Sequence, residues 1–206
     1  MANYLAHCDA LDIPYEDWSA ARVKERLLIY DMQAYHPAKR PYDADYGASK
    51  GGEVAGGVFF ATAGYVTDPA LATHNLQRAA EAHGARFRFN VTITEIPQKS
   101  HRVSDVKLAD GMVLHAPLVI NVGGPASFLI NAMAGVTDDM TMTTRALKQD
   151  VVHVPSPAGF DSERNGIVAF DSDISCYCRP EHGNHILIGS EDPPCDEHVW
   201  VTDDAD

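Results

Sequence analysis

Residues 66–96, "VTDPALATHNLQRAAEAHGARFRFNVTITEI", decide how the rest of the chain is read. Asp68 is a good helix N-cap and Pro69 suits the first turn, where its missing N–H has no partner to lose; Gly84 supplies a left-handed stop. Between them Ala72, Leu76, Ala79, Ala80 and His83 share one face at helical spacing, which predicts a helix that packs on something. Short β-type runs follow at 86–96, 102–108 and, after the Asp110-Gly111 turn, 112–115. "LVINV" (118–122) is apolar except for Asn121 and does not alternate, as expected of a parallel strand covered on both faces. It runs into Gly123-Gly124-Pro125 and a second helix over 125–134, closed by Gly135. The order is helix, strand, small meander, buried strand, glycine turn, helix.

Upstream, residues 2–12 and 19–29 have weak helical character, and 32–57, "MQAYHPAKRPYDADYGASKGGEVAGG", is an irregular stretch of the length that serves as a lid or mobile edge. Downstream the pattern turns antiparallel. Strands are expected within 142–154 and 166–190, with turns at Asn165-Gly166, Asp171-Ser172-Asp173 and His182-Gly183-Asn184. In "ISCYCR" (174–179) the alternation places Ile174, Cys176 and Cys178 on one face and Ser175, Tyr177 and Arg179 on the other.

The charge narrows the partners. With 29 acidic and 16 basic residues the formal net charge is −13, which disfavours nucleic acid and anionic membranes and favours a small-molecule ligand. The 4 cysteines, Cys8, Cys176, Cys178 and Cys195, are too few and too scattered for a disulfide scaffold in 206 residues, so a reducing, cytoplasmic setting is expected. No signal peptide or membrane span is read, and Asn90-Val91-Thr92 carries little meaning as a glycosylation acceptor without a secretory signal. The acidic end after Val199-Trp200-Val201, and the start inside a helix, read as places where a longer protein is divided.

"GGVFF" and "GYVTDPALATHNLQRAAEAHGA", then "LVINVGGPAS", then "YCRPEHGNHILIGSED" stand in an order and spacing that resemble the FAD-dependent D-amino-acid oxidase, glycine oxidase and sarcosine oxidase family. The resemblance covers residues from about 50 to 200. It implies an α/β plus α+β fold, the central part of an FAD-binding Rossmann-like domain with a β-meander, joined to an antiparallel-sheet substrate domain. The expected divisions are 1–60, helical and loop part of the substrate domain; 61–140, partial FAD-binding domain; and 141–206, antiparallel sheet of the substrate domain. The implied cofactor is FAD, and the implied reaction is oxidation of the C–N bond of an amino acid or N-methylated amine. Val91 and Ile93 match the segment beside the adenine, and Gly123 and Gly124 match the small residues where ligands of open α/β sheets bind. Tyr177 matches a tyrosine whose phenol would meet a substrate carboxylate, and Arg179, on the same face, could add a charge-assisted pair.

Each of these residues also has a simpler reading. Val91 and Ile93 can pack between helix and meander, the glycines can serve only a tight turn, and Tyr177 and Arg179 can be ordinary residues of a solvent-facing strand. Two parts of the family pattern are not found: no G-x-G-x-x-G follows a strand, and no further C-terminal segment closes the flavin site. The alternative function is therefore a non-catalytic subunit or binding module that completes its sheet with a partner chain or a second copy. Cys176, Cys178, His182, His185 and Cys195 do not have the spacing of a zinc framework, so no metal is assigned. His153 and His36 are read as structural.

Overall fold

The computed structural model describes residues 2–201, which divide into two compact units, residues 2–72 with 149–197 and residues 73–148 with 198–201. The first unit opens with α1 (Ala2–Ala10), β1 (Glu16–Ser19), α2 (Ala20–Arg26) and β2 (Gly56–Phe59). Ser19 caps α2 by accepting the Arg22 N–H at 3.3 Å. β1 and β2 pair antiparallel, and Trp18 stacks on Phe59 with ring centroids 4.2 Å apart. The long irregular stretch between α2 and β2 is tied at its base by main-chain bonds from Val54 to Met32, Ala34 to Gly52 and Lys50 to Ala34.

α3 (Pro69–Ala82) runs across the division between the units. Its limits follow the sequence reading: Asp68 accepts the Leu71 N–H at 2.8 Å, and Gly84 takes a φ of +89°. The second unit continues with β3 (Ile93–Glu95), β4 (Gln98–Lys99), β5 (Arg102–Val103), β6 (Asp105–Leu108), β7 (Val113–His115), α4 (Ser127–Met133) and β8 (Ala146–Leu147). The order β3-β6-β7 forms a small antiparallel meander around buried Ile96, Val106 and Leu108. The expected turn joins β6 to β7, with Gly111 at φ +86° and the Met112 N–H donated to Asp110 Oδ1.

The chain then returns to the first unit through β9 (Val151–Pro155), α5 (Ser162–Asn165), β10 (Ala169–Asp171), β11 (Cys176–Glu181) and β12 (His185–Ser190). These strands form one antiparallel sheet in the order β10-β11-β12-β9. A last strand, β13 (Trp200–Val201), pairs with β8 in the second unit.

Several expectations are corrected. Residues 118–122 form no strand, and Leu118, Ile120 and Val122 are 71%, 73% and 86% exposed. Every ladder among the described residues is antiparallel, so no parallel neighbour is present to satisfy that backbone or cover those side chains. The run 86–96 is extended into a ladder only over Ile93–Glu95, leaving Phe87 and Phe89 stacked on each other and exposed. The face of α3 expected to pack is only partly covered, with Ala72 and Ala80 half-buried and Leu76 73% exposed. At Asn165-Gly166 the chain makes α5 rather than a bare turn, because Asp161 caps it through the Arg164 N–H. The alternation in 174–179 begins only at Cys176, since Ser175 sits in the left-handed region at φ +52°.

Candidate functional site

The register of the four-stranded sheet builds one polar face from residues far apart in sequence. Directly opposed residues of antiparallel strands share a face, which puts Phe170, Tyr177 and Val151 in a row across Gly189. The next row holds Arg179, Leu187 and His153, and the next Glu181, His185 and Pro155. A phenol, a guanidinium, a carboxylate and two imidazoles are thus collected on one side.

Gly189 shapes this face. A Cβ there would overlap Cζ and Oη of Tyr177, so the tyrosine ring lies across the bare glycine backbone, with Phe170 on its other flank at 6.0 Å. Tyr177 is half-buried. Arg179 is more committed: Nη2 pairs with Glu181 Oε2 at 2.8 Å, and the guanidinium stacks 4.9 Å from the Tyr65 ring centroid. Tyr65 is itself fixed, donating its hydroxyl to the Pro180 carbonyl at 2.9 Å. One donor is left over, because Arg179 Nη1 is buried and has no hydrogen-bond partner among the described residues.

His153 and His185 stack with centroids 4.6 Å apart, and His185 Nδ1 is a second buried atom without a partner. Sequence reading left both histidines outside the site; only the strand register, with Leu187 opposite His153, reveals that they share the face of Tyr177 and Arg179. His36 precedes Pro37 in the irregular stretch and is not part of that sheet.

The opposite face is core. Cys178 Sγ and the Tyr30 hydroxyl are 2.9 Å apart; burial first, and then this contact, push the Tyr30 phenol pKa well above its ordinary value. Burial, with Asp171 next in weight, also raises the Cys176 thiol, so Cys176 is not set up as a reactive thiolate. A narrow cavity between Leu27, Tyr30, Phe160, Cys178, Arg179 and Ile186 has room for about one water, too little for an amino acid. No cluster of three or more metal-ligating side chains occurs among the described residues.

Val91, Ile93, Gly123 and Gly124 all belong to the second unit. Val91 is 41% exposed, so it does not fill a core, while Ile93 is half-buried opposite Leu108. The two glycines differ. A Cβ on Gly123 would overlap Ile130, so that side of the turn is already filled; Gly124 sits at φ +56° with no atom near the position of its missing Cβ. Gly124 is therefore the residue of the turn whose backbone stands open. The described residues supply no glycine-rich strand-to-helix loop for a pyrophosphate.

Comparison with known proteins places this geometry in context. The family model described as DAO, FAD dependent oxidoreductase, matches residues 4–206. The fold is similar to that of L-proline dehydrogenase from P. horikoshii, with a TM-score of 0.66 and 19% identity over 91% of this chain and 44% of that one. It is also similar to glycine oxidase from Geobacillus kaustophilus, with a TM-score of 0.60 and 19% identity over 98% of this chain and 46% of that one. The chain thus spans less than half the length of either solved protein. Because the family match runs through nearly every residue, the chain belongs to the FAD dependent oxidoreductases of the D-amino-acid oxidase type, and FAD is the cofactor that this membership implies.

Proposed function

We propose that this chain forms part of an FAD-dependent oxidoreductase that oxidises the C–N bond of an amino acid or an N-methylated amine of the sarcosine type, with substrate held on the face that carries Tyr177 and Arg179. FAD, when bound, accepts the electron pair removed from the substrate. The observation that carries the substrate reading is the strand register, which puts the Arg179 guanidinium and the half-buried Tyr177 phenol on one face of the sheet. A carboxylate is the group that suits such a pair, because both donate hydrogen bonds to it and the guanidinium adds charge. Glu181 and Tyr65 hold the guanidinium plane in place, and Gly189 lets the Tyr177 ring lie across the strand. These residues bind and orient; the cofactor does the difficult chemistry.

Calorimetric titration with N-methylglycine and with methylamine tests this. The carboxylate-bearing amine is expected to bind more tightly, and Tyr177→Phe and Arg179→Lys are each expected to reduce that preference by on the order of tenfold. Equal binding of the two amines, or a preference untouched by both variants, would remove the site from this face.

A second reading is favoured by the exposed run Leu118, Ile120 and Val122. On it, the chain is a non-catalytic subunit or binding module whose open backbone is completed by a partner chain or a second copy. Light scattering separates the two, since this reading expects association that Ile120→Lys abolishes.

A further inference from the structure

Asn121 lies in the middle of the exposed run, yet its own side chain points the other way and is fully engaged. Its Nδ2 donates to the Ser127 carbonyl at 2.9 Å and to Asn131 Oδ1 at 2.8 Å, and its Oδ1 accepts the Gly123 N–H at 3.0 Å. Both amide hydrogens and the oxygen are therefore spent on three points that surround the glycine turn: its first residue, the start of α4, and one helical turn further along. An aspartate or leucine would not do this, because the network needs two donors and an acceptor on one short side chain.

The consequence is that the filled and open sides of the turn are fixed. Ile130 and the Asn121 oxygen crowd the Cβ side of Gly123, so that residue cannot rotate inward; Gly124, at φ +56°, is left with its Cβ side empty. The N-terminal end of α4 has no side-chain cap of its own, so Asn121 is the side chain that pins this junction.

We propose that Asn121 is a positioning residue for the cofactor side of the second unit: it locks the Gly123-Gly124 turn so that Gly124 presents bare backbone to FAD. This rests on the reading that FAD lies against that turn. Asn131 acts through Asn121, orienting its amide.

The test is hydrogen exchange at the amides of Gly123, Gly124 and Ala126, with and without added FAD, in the unaltered chain and in Asn121→Ala and Asn131→Ala. FAD affinity is read in parallel from flavin fluorescence. In the unaltered chain the Gly123 amide is expected to be protected before FAD is added, and the Gly124 amide to gain protection afterwards. Asn121→Ala is expected to speed Gly123 exchange and weaken FAD binding, each by on the order of tenfold, the worth of one or two net hydrogen bonds. Asn131→Ala removes a single contact and is expected to move both in the same direction by less; should Asn121→Ala not fold, it decides alone.

Faster Gly123 exchange with unchanged FAD affinity would make Asn121 a purely structural clasp and overturn the proposal. Saturable flavin binding without added protection at Gly124 would overturn it too, while leaving FAD binding by the chain intact. No saturable flavin binding by the unaltered chain would defeat the underlying reading and the proposal with it.

Discussion

Tyr30, which contacts Cys178 on the core face of the four-stranded sheet, and Gly189, on its polar face, each make a prediction at the scale of a single residue. Because burial and Cys178 raise the Tyr30 phenol pKa above 10.0, the folded state binds that proton more tightly than the unfolded state. The resulting stabilisation is fully present below pH 10.0 and is lost as pH rises through the folded value. Tyrosinate absorbance is expected to show one phenol that ionises only as the fold opens, and Tyr30→Phe to remove that step. Gly189→Ala is expected to destabilise by about 1–3 kcal/mol, because the new methyl must displace the Tyr177 ring. Gly64→Ala, with nothing within 4 Å of its Cβ position, serves as the near-neutral control in the same denaturant titration.

At the scale of elements, the helix ends and the tight turn were legible because caps and turns are local. Asp68, Gly84, Gly111 and Gly135 do their work within a few residues, and the structure puts a capping bond or a positive φ at each of them. Asp68→Ala is accordingly expected to cost about 1 kcal/mol in stability, measured by denaturant unfolding. What stayed illegible depends on partners. The apolar composition of 118–122 suggested a covered parallel strand, but composition cannot supply the neighbouring strand that would make it one. The same limit explains the packing face of α3: its periodicity is real, yet Leu76 is exposed. Leu76→Glu is therefore expected to change the stability of this chain by no more than about 0.5 kcal/mol, and a larger loss would mean that the face is covered after all. His153 and His185 were missed for a related reason, since only the register of β9 on β12 brings them together with Arg179.

At the scale of the whole molecule, each unit carries one half of the account. The first presents the polar sheet face proposed to take a carboxylate, and the second the glycine turn proposed to face the cofactor, while no helix among the described residues is long and apolar enough to cross a membrane. The family and its cofactor follow from a match over residues 4–206, whereas the chain covers only 44% and 46% of the two solved proteins whose fold it shares. A segment that supplies a glycine-rich strand-to-helix loop, joined to this chain, is expected to strengthen flavin binding by completing the pyrophosphate contacts. The central proposal is that the glycine turn of the second unit forms part of an FAD site, and the direct measurement is a fluorescence titration of FAD with the purified chain, repeated with that segment joined. Weak but saturable binding that tightens in the joined protein is the expected result. A folded protein that takes up no flavin in either form would contradict the claim.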